Sequence, residues 1–164
     1  MGVVTYDYEN TSPVAPARLF KAFTVEAPKV WPTAAPNAVK SLEVEANPSS
    51  GSIVKINFVE VFISLGLPFQ YMKHQIGGHD ESNFSYSYDL IEGGPLGDKL
   101  EKISYENKFE AAAGGGSICK SSMKFYTVGD NVITEDEIKA LIKGSEGVYK
   151  PVEAYLLANP EACN

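Results

Sequence analysis

The sequence predicts an α+β domain in which an antiparallel sheet is covered by one long C-terminal helix. Three observations carry that prediction. Between residues 38 and 124, apolar and polar residues alternate with the period of two that sends successive side chains to opposite faces of a strand. Glycine- and proline-containing turns separate these runs with no helical stretch between them, which favours antiparallel strands over crossover-linked parallel ones. After Thr134 the apolar period becomes helical and holds to about Ala158.

From the N-terminus, Val4 to Glu9 alternates and reads as a half-buried strand, broken by Asn10-Thr11-Ser12-Pro13. Thr11 or Ser12 is a candidate cap for the next helix, with Pro13 in its first turn. Leu19, Phe20 and Phe23 form the apolar stripe of that helix. Pro28, Pro32 and Pro36 leave room only for a short, interrupted second helix. Val54, Ile56 and Phe58 share the buried side of a strand. Phe84, Tyr86, Tyr88 and Leu90 share one face of the clearest strand, Asn83 to Leu90, with Ser85, Ser87 and Asp89 on the other. Ile103, Tyr105 and Phe109 alternate with Ser104, Glu106 and Lys108. Gly93-Gly94-Pro95 and Gly114-Gly115-Gly116 are turns.

The last element opens on a capping box, Thr134 with Glu137 three residues on, and its acidic first turn suits the positive end of the helix dipole. Ile138, Leu141, Ile142, Val148, Tyr149, Val152, Tyr155 and Leu156 follow at helical spacing, and Asn159-Pro160 ends the element. Such a helix is roughly 36 Å long at 1.5 Å per residue. Gly144, Gly147 and Pro151 interrupt its interior. Pro151 cannot donate to the carbonyl of Gly147, so the helix either kinks there or is held by packing.

The whole chain, 1–164, fits a single domain, and 44% hydrophobic residues exclude a disordered one. No stretch approaches the ~20 apolar residues of a membrane span. The start, Met1 to Tyr6, lacks the basic region and apolar run of a signal peptide, and Tyr6 stands where myristoylation wants Ser or Thr. Cys119 reads as a small core hydrophobe and Cys163 as a free, exposed thiol; a reducing compartment, the cytoplasm, suits both. A net charge of −7 opposes tight contact with phosphate backbones, so no nucleic-acid partner is expected, nor a membrane. His74 and His79 have no cysteine or carboxylate at zinc spacing, and the chain carries no Walker loop, dinucleotide fingerprint or catalytic triad context. No metal or other cofactor is expected.

The order of elements, together with particular residues, resembles the plant pathogenesis-related class-ten family, the family of the major birch pollen allergen. Those residues are Met1-Gly2-Val3, Pro16 to Phe23, Ala35 to Ser41, Tyr71 to Ile76, Asp98 to Glu106, Gly114 to Ser117 and Val152 to Pro160, so the likeness spans the chain. It implies a helix-grip, START-like fold: a curved seven-stranded sheet wrapped around the C-terminal helix, two short helices, and a large apolar cavity between. It further implies a monomeric binding or carrier protein for a hydrophobic or amphipathic small molecule, such as a hormone or flavonoid, associated with plant defence and allergenicity. An enzyme using the same cavity, of cyclase or isomerase type, is the alternative; a weak ribonuclease is a further one.

The candidate cavity lining is Phe23, Val39, Phe58, Tyr71, His74, Phe84, Tyr86, Tyr88, Ile103, Tyr105, Ile142 and Tyr149. Aromatic stripes of this kind also form ordinary cores, but several inward tyrosine hydroxyls suit an amphipathic guest better than a dry interior. No catalytic residue is assigned. Lys120 matches the position of a catalytic lysine in an alkaloid-forming branch of the superfamily, yet alternation with Cys119, Ser121 and Met123 sends it outward. Two segments depart from the family pattern. The glycine-rich loop is reduced to Glu45-Ala46-Asn47-Pro48-Ser49-Ser50-Gly51, where Pro48 removes a backbone donor and disfavours a phosphate cradle. The 59–69 segment is unusually apolar and is a candidate cavity mouth or contact surface.

Overall fold

The structure, a computed structural model, describes residues 2–45, 51–59 and 70–164. Most of the altered glycine loop and nearly all of the 59–69 segment lie outside the described residues. The elements run β1 Gly2–Ser12, α1 Pro16–Phe23, α2 Ala27–Ala34, β2 Val39–Glu45, β3 Ile53–Phe58, β4 Tyr71–Asp80, β5 Ser85–Gly93, β6 Leu100–Ala111, β7 Ser117–Thr127 and α3 Glu135–Ala158. The seven strands form one antiparallel sheet in the order β1-β7-β6-β5-β4-β3-β2. Strands β2 to β7 are a meander, and β1 adds to its far edge by pairing with β7. The sheet is curved. Its ladder shifts register in β4 against β5, between Lys73 and His74 and again between Ile76 and His79, where bulges bend and twist a sheet.

Local sequence explains most boundaries, and the exceptions have physical reasons. β1 does not break at Asn10: Asn10, Thr11 and Ser12 stay in the ladder opposite Cys119, Ile118 and Ser117. A partner strand supplies hydrogen bonds that override weak local propensity. Neither Thr11 nor Ser12 caps α1. The N-cap is Ala15, in an extended conformation with no side-chain bond, and Pro16 opens the helix. Ser12 Oγ instead accepts from the Val14 amide at 3.1 Å, while Ser117 Oγ donates to the Val14 carbonyl at 2.6 Å. β5 starts two residues later than the alternation suggests, at Ser85, because Phe84 has a left-handed φ of 52°. Its ring still packs on Phe20, 5.9 Å between centroids. The one glycine left at the end of the altered loop, Gly51, has φ 80°, and a Cβ there would stand 2.6 Å from the Ile76 carbonyl oxygen.

The capping box of α3 is made as expected. Glu137 N donates to Thr134 Oγ1 at 3.2 Å, and Thr134 N donates to Glu137 Oε1 at 3.3 Å. Lys99 adds an ion pair to the same carboxylate at 2.6 Å. The helix runs on through Pro151 to Ala158. Its far end is clamped by Arg18 of α1, whose guanidinium donates to the carbonyls of Leu156 and Asn159 at 2.8 Å each and of Ala162 at 3.0 Å. Those are carbonyls of the kind a helix terminus leaves without an internal partner. The clamp folds the C-terminal turn against the domain, so Cys163 is buried at 6% exposure and is not the exposed thiol expected from its position. Cys119 is buried as expected, and both thiols are free.

The core divides in two. One cluster joins α1, α2 and the C-terminal half of α3, through Leu19, Phe20, Val30, Val148, Val152 and Leu156. The other gathers Leu90, Leu100, Ile103, Met123, Phe125 and Ile133 under Ile138, near the start of α3. Between these anchors, from residue 139 to 147, no side chain of α3 is fully buried.

Candidate functional site

The stretch between the two cores is faced by a row of tyrosines. On β5 and β6 the alternation brings Tyr88 opposite Tyr105 and Tyr86 opposite Asn107. The Tyr88 and Tyr105 rings stack at 4.6 Å, and Tyr86 stacks on Tyr88 at 6.0 Å. His74 of β4 lies 4.4 Å from Tyr88 and 6.3 Å from Tyr105. Toward α1 the rings continue from Tyr86 to Phe109 at 6.1 Å, from Phe109 to Phe23 at 6.2 Å, and from Phe23 to Tyr149 of α3 in a stack at 5.6 Å. One aromatic chain thus runs from the sheet to the helix.

Polar groups punctuate this surface. Ser121 of β7 donates to Asn107 Oδ1 at 2.8 Å, one strand from the tyrosines. Asn107 Nδ2 is the one sealed side-chain polar atom among the described residues that has no hydrogen-bond partner. Tyr149 Oη lies 3.6 Å from Cys119 Sγ and 3.4 Å from Glu153 Oε2. Burial pushes the phenol pKa of Tyr86, Tyr88 and Tyr105 well above the ordinary value, with neighbouring tyrosines adding to it; the Asn107 side chain pulls Tyr88 back only in part. Tyr8 of β1 is raised by burial too, and Ser121 opposes that rise. Burial lowers His74 from 6.5 to about 4, so its imidazole is neutral near pH 7. Tyr8, Tyr86, Tyr88 and Tyr105 are nonetheless only half-buried by accessible surface.

The residues expected at the lining fall into distinct groups. His74, Tyr86, Tyr88, Tyr105, Phe23 and Tyr149 are brought together as described. Phe84 packs beside Tyr86 on Phe20, Phe58 against the first core cluster, and Ile142 against the second. Val39 and Ile103, at 1% and 0% exposure, keep no surface for a guest and belong to the core. Tyr71 is elsewhere: its hydroxyl donates to exposed Glu92 at 2.8 Å and its ring lies under the Lys55 ammonium at 5.1 Å. Period two demands this, because Tyr71 and His74 are an odd number of residues apart and so face opposite ways. Asn107, Ser121, Tyr8 and Phe20 join the site without having been assigned to the lining; Asn107 and Ser121 were legible as polar residues in the inward phase of otherwise apolar strands.

Lys120 is exposed and paired with Glu110 at 3.0 Å. A concavity of about 730 Å³ is lined by Tyr8, Tyr86, Asn107 and Ser121 together with charged residues of the same strands, among them Asp7, Glu106, Lys108 and Lys120. No residue of α3, and neither Tyr88 nor Tyr105, lines it. Among the described residues no cluster of three or more His, Cys, Asp or Glu is placed to hold a metal ion. No described helix is long and apolar enough to cross a membrane.

A curved seven-stranded antiparallel sheet around one long helix, with two short helices beneath its C-terminal end and a tyrosine-rich concave side, defines a helix-grip domain. The chain belongs to the Pathogenesis-related protein Bet v 1 family, whose family model matches residues 1–159. It is 47% identical over 165 residues to the major strawberry allergen Fra a 1.08 of Fragaria ananassa, covering 100% of both chains. It is 47% identical over 160 residues to the pathogenesis-related protein STH-2 of Solanum tuberosum, covering 98% of this chain and 97% of that one. Among solved structures it resembles Ara h 8.0201, with a TM-score of 0.79 at 36% identity over 96% of this chain and 100% of that chain.

Proposed function

We propose that this protein is a cytoplasmic carrier or reservoir for hydrophobic or amphipathic plant metabolites of the hormone and flavonoid kind, acting in defence as a monomer. The guest lies between the sheet and the middle of α3, against Phe23, Phe58, His74, Phe84, Tyr86, Tyr88, Tyr105, Ile142 and Tyr149. One observation carries this reading: the core splits into two clusters, and the surface between them is a row of tyrosines that is deeply desolvated yet keeps accessible area. A packed core leaves few voids larger than water. Accessible area on groups this deep is what an internal chamber produces, and tyrosines in such a chamber offer apolar faces with polar tips. Family membership supports the same reading. The cyclase- or isomerase-type alternative needs an acid–base pair at the guest; the one lysine suggested for that role, Lys120, is outside and neutralised by Glu110.

The test is a titration of the full chain with an uncharged, environment-sensitive dye such as Nile red. Saturable enhancement with a micromolar dissociation constant, displaced by a flavonoid aglycone, is expected. A folded protein that shows no saturable binding excludes a carrier function.

A further inference from the structure

One line of side chains across the sheet differs from the lines beside it. Register places Tyr8 opposite Ser121, Ser121 opposite Asn107, Asn107 opposite Tyr86 and Tyr86 opposite His79, so a polar row crosses β1, β7, β6, β5 and β4. The row on one side runs Tyr6, Met123, Tyr105, Tyr88 and Ile76, and the row on the other runs Asn10, Cys119 and Phe109. The polar row lines the concavity it shares with Asp7, Glu9, Asp80, Glu106, Lys108 and Lys120. Tyr88, one row over, does not line that concavity. A half-buried serine and asparagine in the inward phase cost stability unless they are bonded.

The bonds along the row have a direction. Ser121 Oγ donates its single proton to Asn107 Oδ1 at 2.8 Å, so toward Tyr8 it can only accept, and the neutral Tyr8 phenol is the donor there. With Oδ1 held by Ser121, the Asn107 amide is fixed with Nδ2 on its other side. Nδ2 is sealed and completes no hydrogen bond of its own. Its side chain nevertheless acts on the Tyr88 phenol, the diagonal neighbour on β5, and opposes the pKa rise that burial causes. An amide N–H facing a phenol oxygen takes up that oxygen's lone pairs and leaves the phenol proton to point elsewhere. The Tyr88 ring is stacked between Tyr86 at 6.0 Å and Tyr105 at 4.6 Å, so both its faces are covered and its tip is what a guest meets.

Resting on the carrier reading, we propose that Tyr8, Ser121 and Asn107 form a directed relay that aims the Tyr88 hydroxyl proton at a carbonyl oxygen of an aromatic guest. Tyr88 touches the guest, and the other three are positioning residues. A carbonyl takes the proton that Tyr88 has unspent, whereas a hydrocarbon of the same shape leaves that hydroxyl desolvated and unbonded. Hydrogen bonds in a chain polarise one another, so the bond from Tyr88 to the guest strengthens the pull of Tyr88 on the Asn107 amide. Without the Ser121 hydroxyl the amide is free to turn over, and its oxygen then competes with the guest for the Tyr88 proton.

The experiment compares fluorenone and fluorene, which share a skeleton and differ at the carbonyl, by displacement of Nile red from the full chain. The infrared carbonyl band of bound fluorenone is the second readout. Tyr88→Phe is expected to lower the ratio of fluorenone to fluorene affinity about fivefold, the size of one neutral hydrogen bond, and to return the carbonyl band to its frequency in apolar solvent. Ser121→Ala is expected to lower the ratio at least about twofold through fluorenone alone, and Ser121→Thr, which keeps the hydroxyl, to restore it. Tyr8→Phe probes the relay from its far end and should move the ratio the same way. A ratio and a band unchanged in Tyr88→Phe overturn the proposal. A ratio that falls in Tyr88→Phe but holds in both Ser121→Ala and Tyr8→Phe also overturns it, because Tyr88 then donates without the relay. Variants that weaken both guests equally show a packing role and overturn it too. If neither guest displaces a dye that binds saturably, the proposal falls while the carrier function stands; if the dye itself fails to bind, the carrier function falls with it.

Discussion

His74 shows how burial becomes a measurable property of a single residue. At 8% exposure, with a lowered pKa of about 4, its folded form refuses a proton that the unfolded chain accepts at 6.5. The unfolded state therefore binds more protons between these values, and stability falls as pH drops from 6.5 toward 4. The difference is worth about 3 kcal/mol at most, and it is fully recovered above pH 6.5. Partly exposed carboxylates with lowered pKa, such as Asp80 and Glu137, add a slope of their own at lower pH, where they take up protons. The informative quantity is consequently the difference between the parent and His74→Phe, which keeps a ring beside Tyr88. Urea unfolding at pH 7 and pH 4.5 should show the parent losing more stability than the variant. Parallel pH profiles would mean that His74 reaches solvent in the folded state.

At the scale of the element, α3 depends on its two ends for different reasons. Its start is specified locally, by Thr134 and Glu137 reaching each other across one turn. Its end depends on a residue of α1, since Arg18 supplies the partners for the carbonyls of Leu156, Asn159 and Ala162. Charge-assisted bonds of this kind are worth about 1.5–3 kcal/mol before allowing for partial solvent exposure. Arg18→Ala is expected to cost about 2 kcal/mol by urea midpoint and to loosen the C-terminal turn. Cys163, whose thiol burial and Glu26 push up to about 11, then becomes open to a thiol reagent. Unchanged stability together with an unchanged labelling rate would show that core contacts such as Leu156 and Val152 hold the turn without the clamp. Between its ends, from residue 139 to 147, α3 has no fully buried side chain.

For the molecule as a whole, charge sets what it meets. A net charge of −7 repels a polyanion at every distance that salt does not screen, and the cations left over are scattered or paired with Glu92, Glu110 and Glu137. Mobility-shift assays with a mixed-sequence RNA in low salt should give no discrete complex. A tight complex whose affinity falls steeply with added salt would place a basic surface where none is expected, and would revive the ribonuclease alternative.

The sequence by itself determined the element types, the order of the elements, the inward set of aromatics on β5 and β6, and the positions at which α3 starts and stops. Those features rest on short-range rules: period two, period 3.6, a capping box three residues wide and the stop at Asn159-Pro160. Other properties depended on the tertiary structure, because they arise between residues far apart in the chain. The ladder with β7 carried β1 through Asn10 to Ser12, and Arg18 buried Cys163. Alternation counted along one strand is enough to turn Tyr71 outward, opposite to His74. Periodicity marks Val39, Ile103, Tyr86 and Tyr105 alike as inward-facing; only packing separates them. Val39 and Ile103 close within the two cores, while Tyr86 packs against the first and Tyr105 against the second and both keep accessible surface. A pattern of inward residues fixes which face is apolar, whereas the distance between opposing faces fixes whether that interior is filled, and that distance is set by how the bent sheet and the two ends of α3 come together.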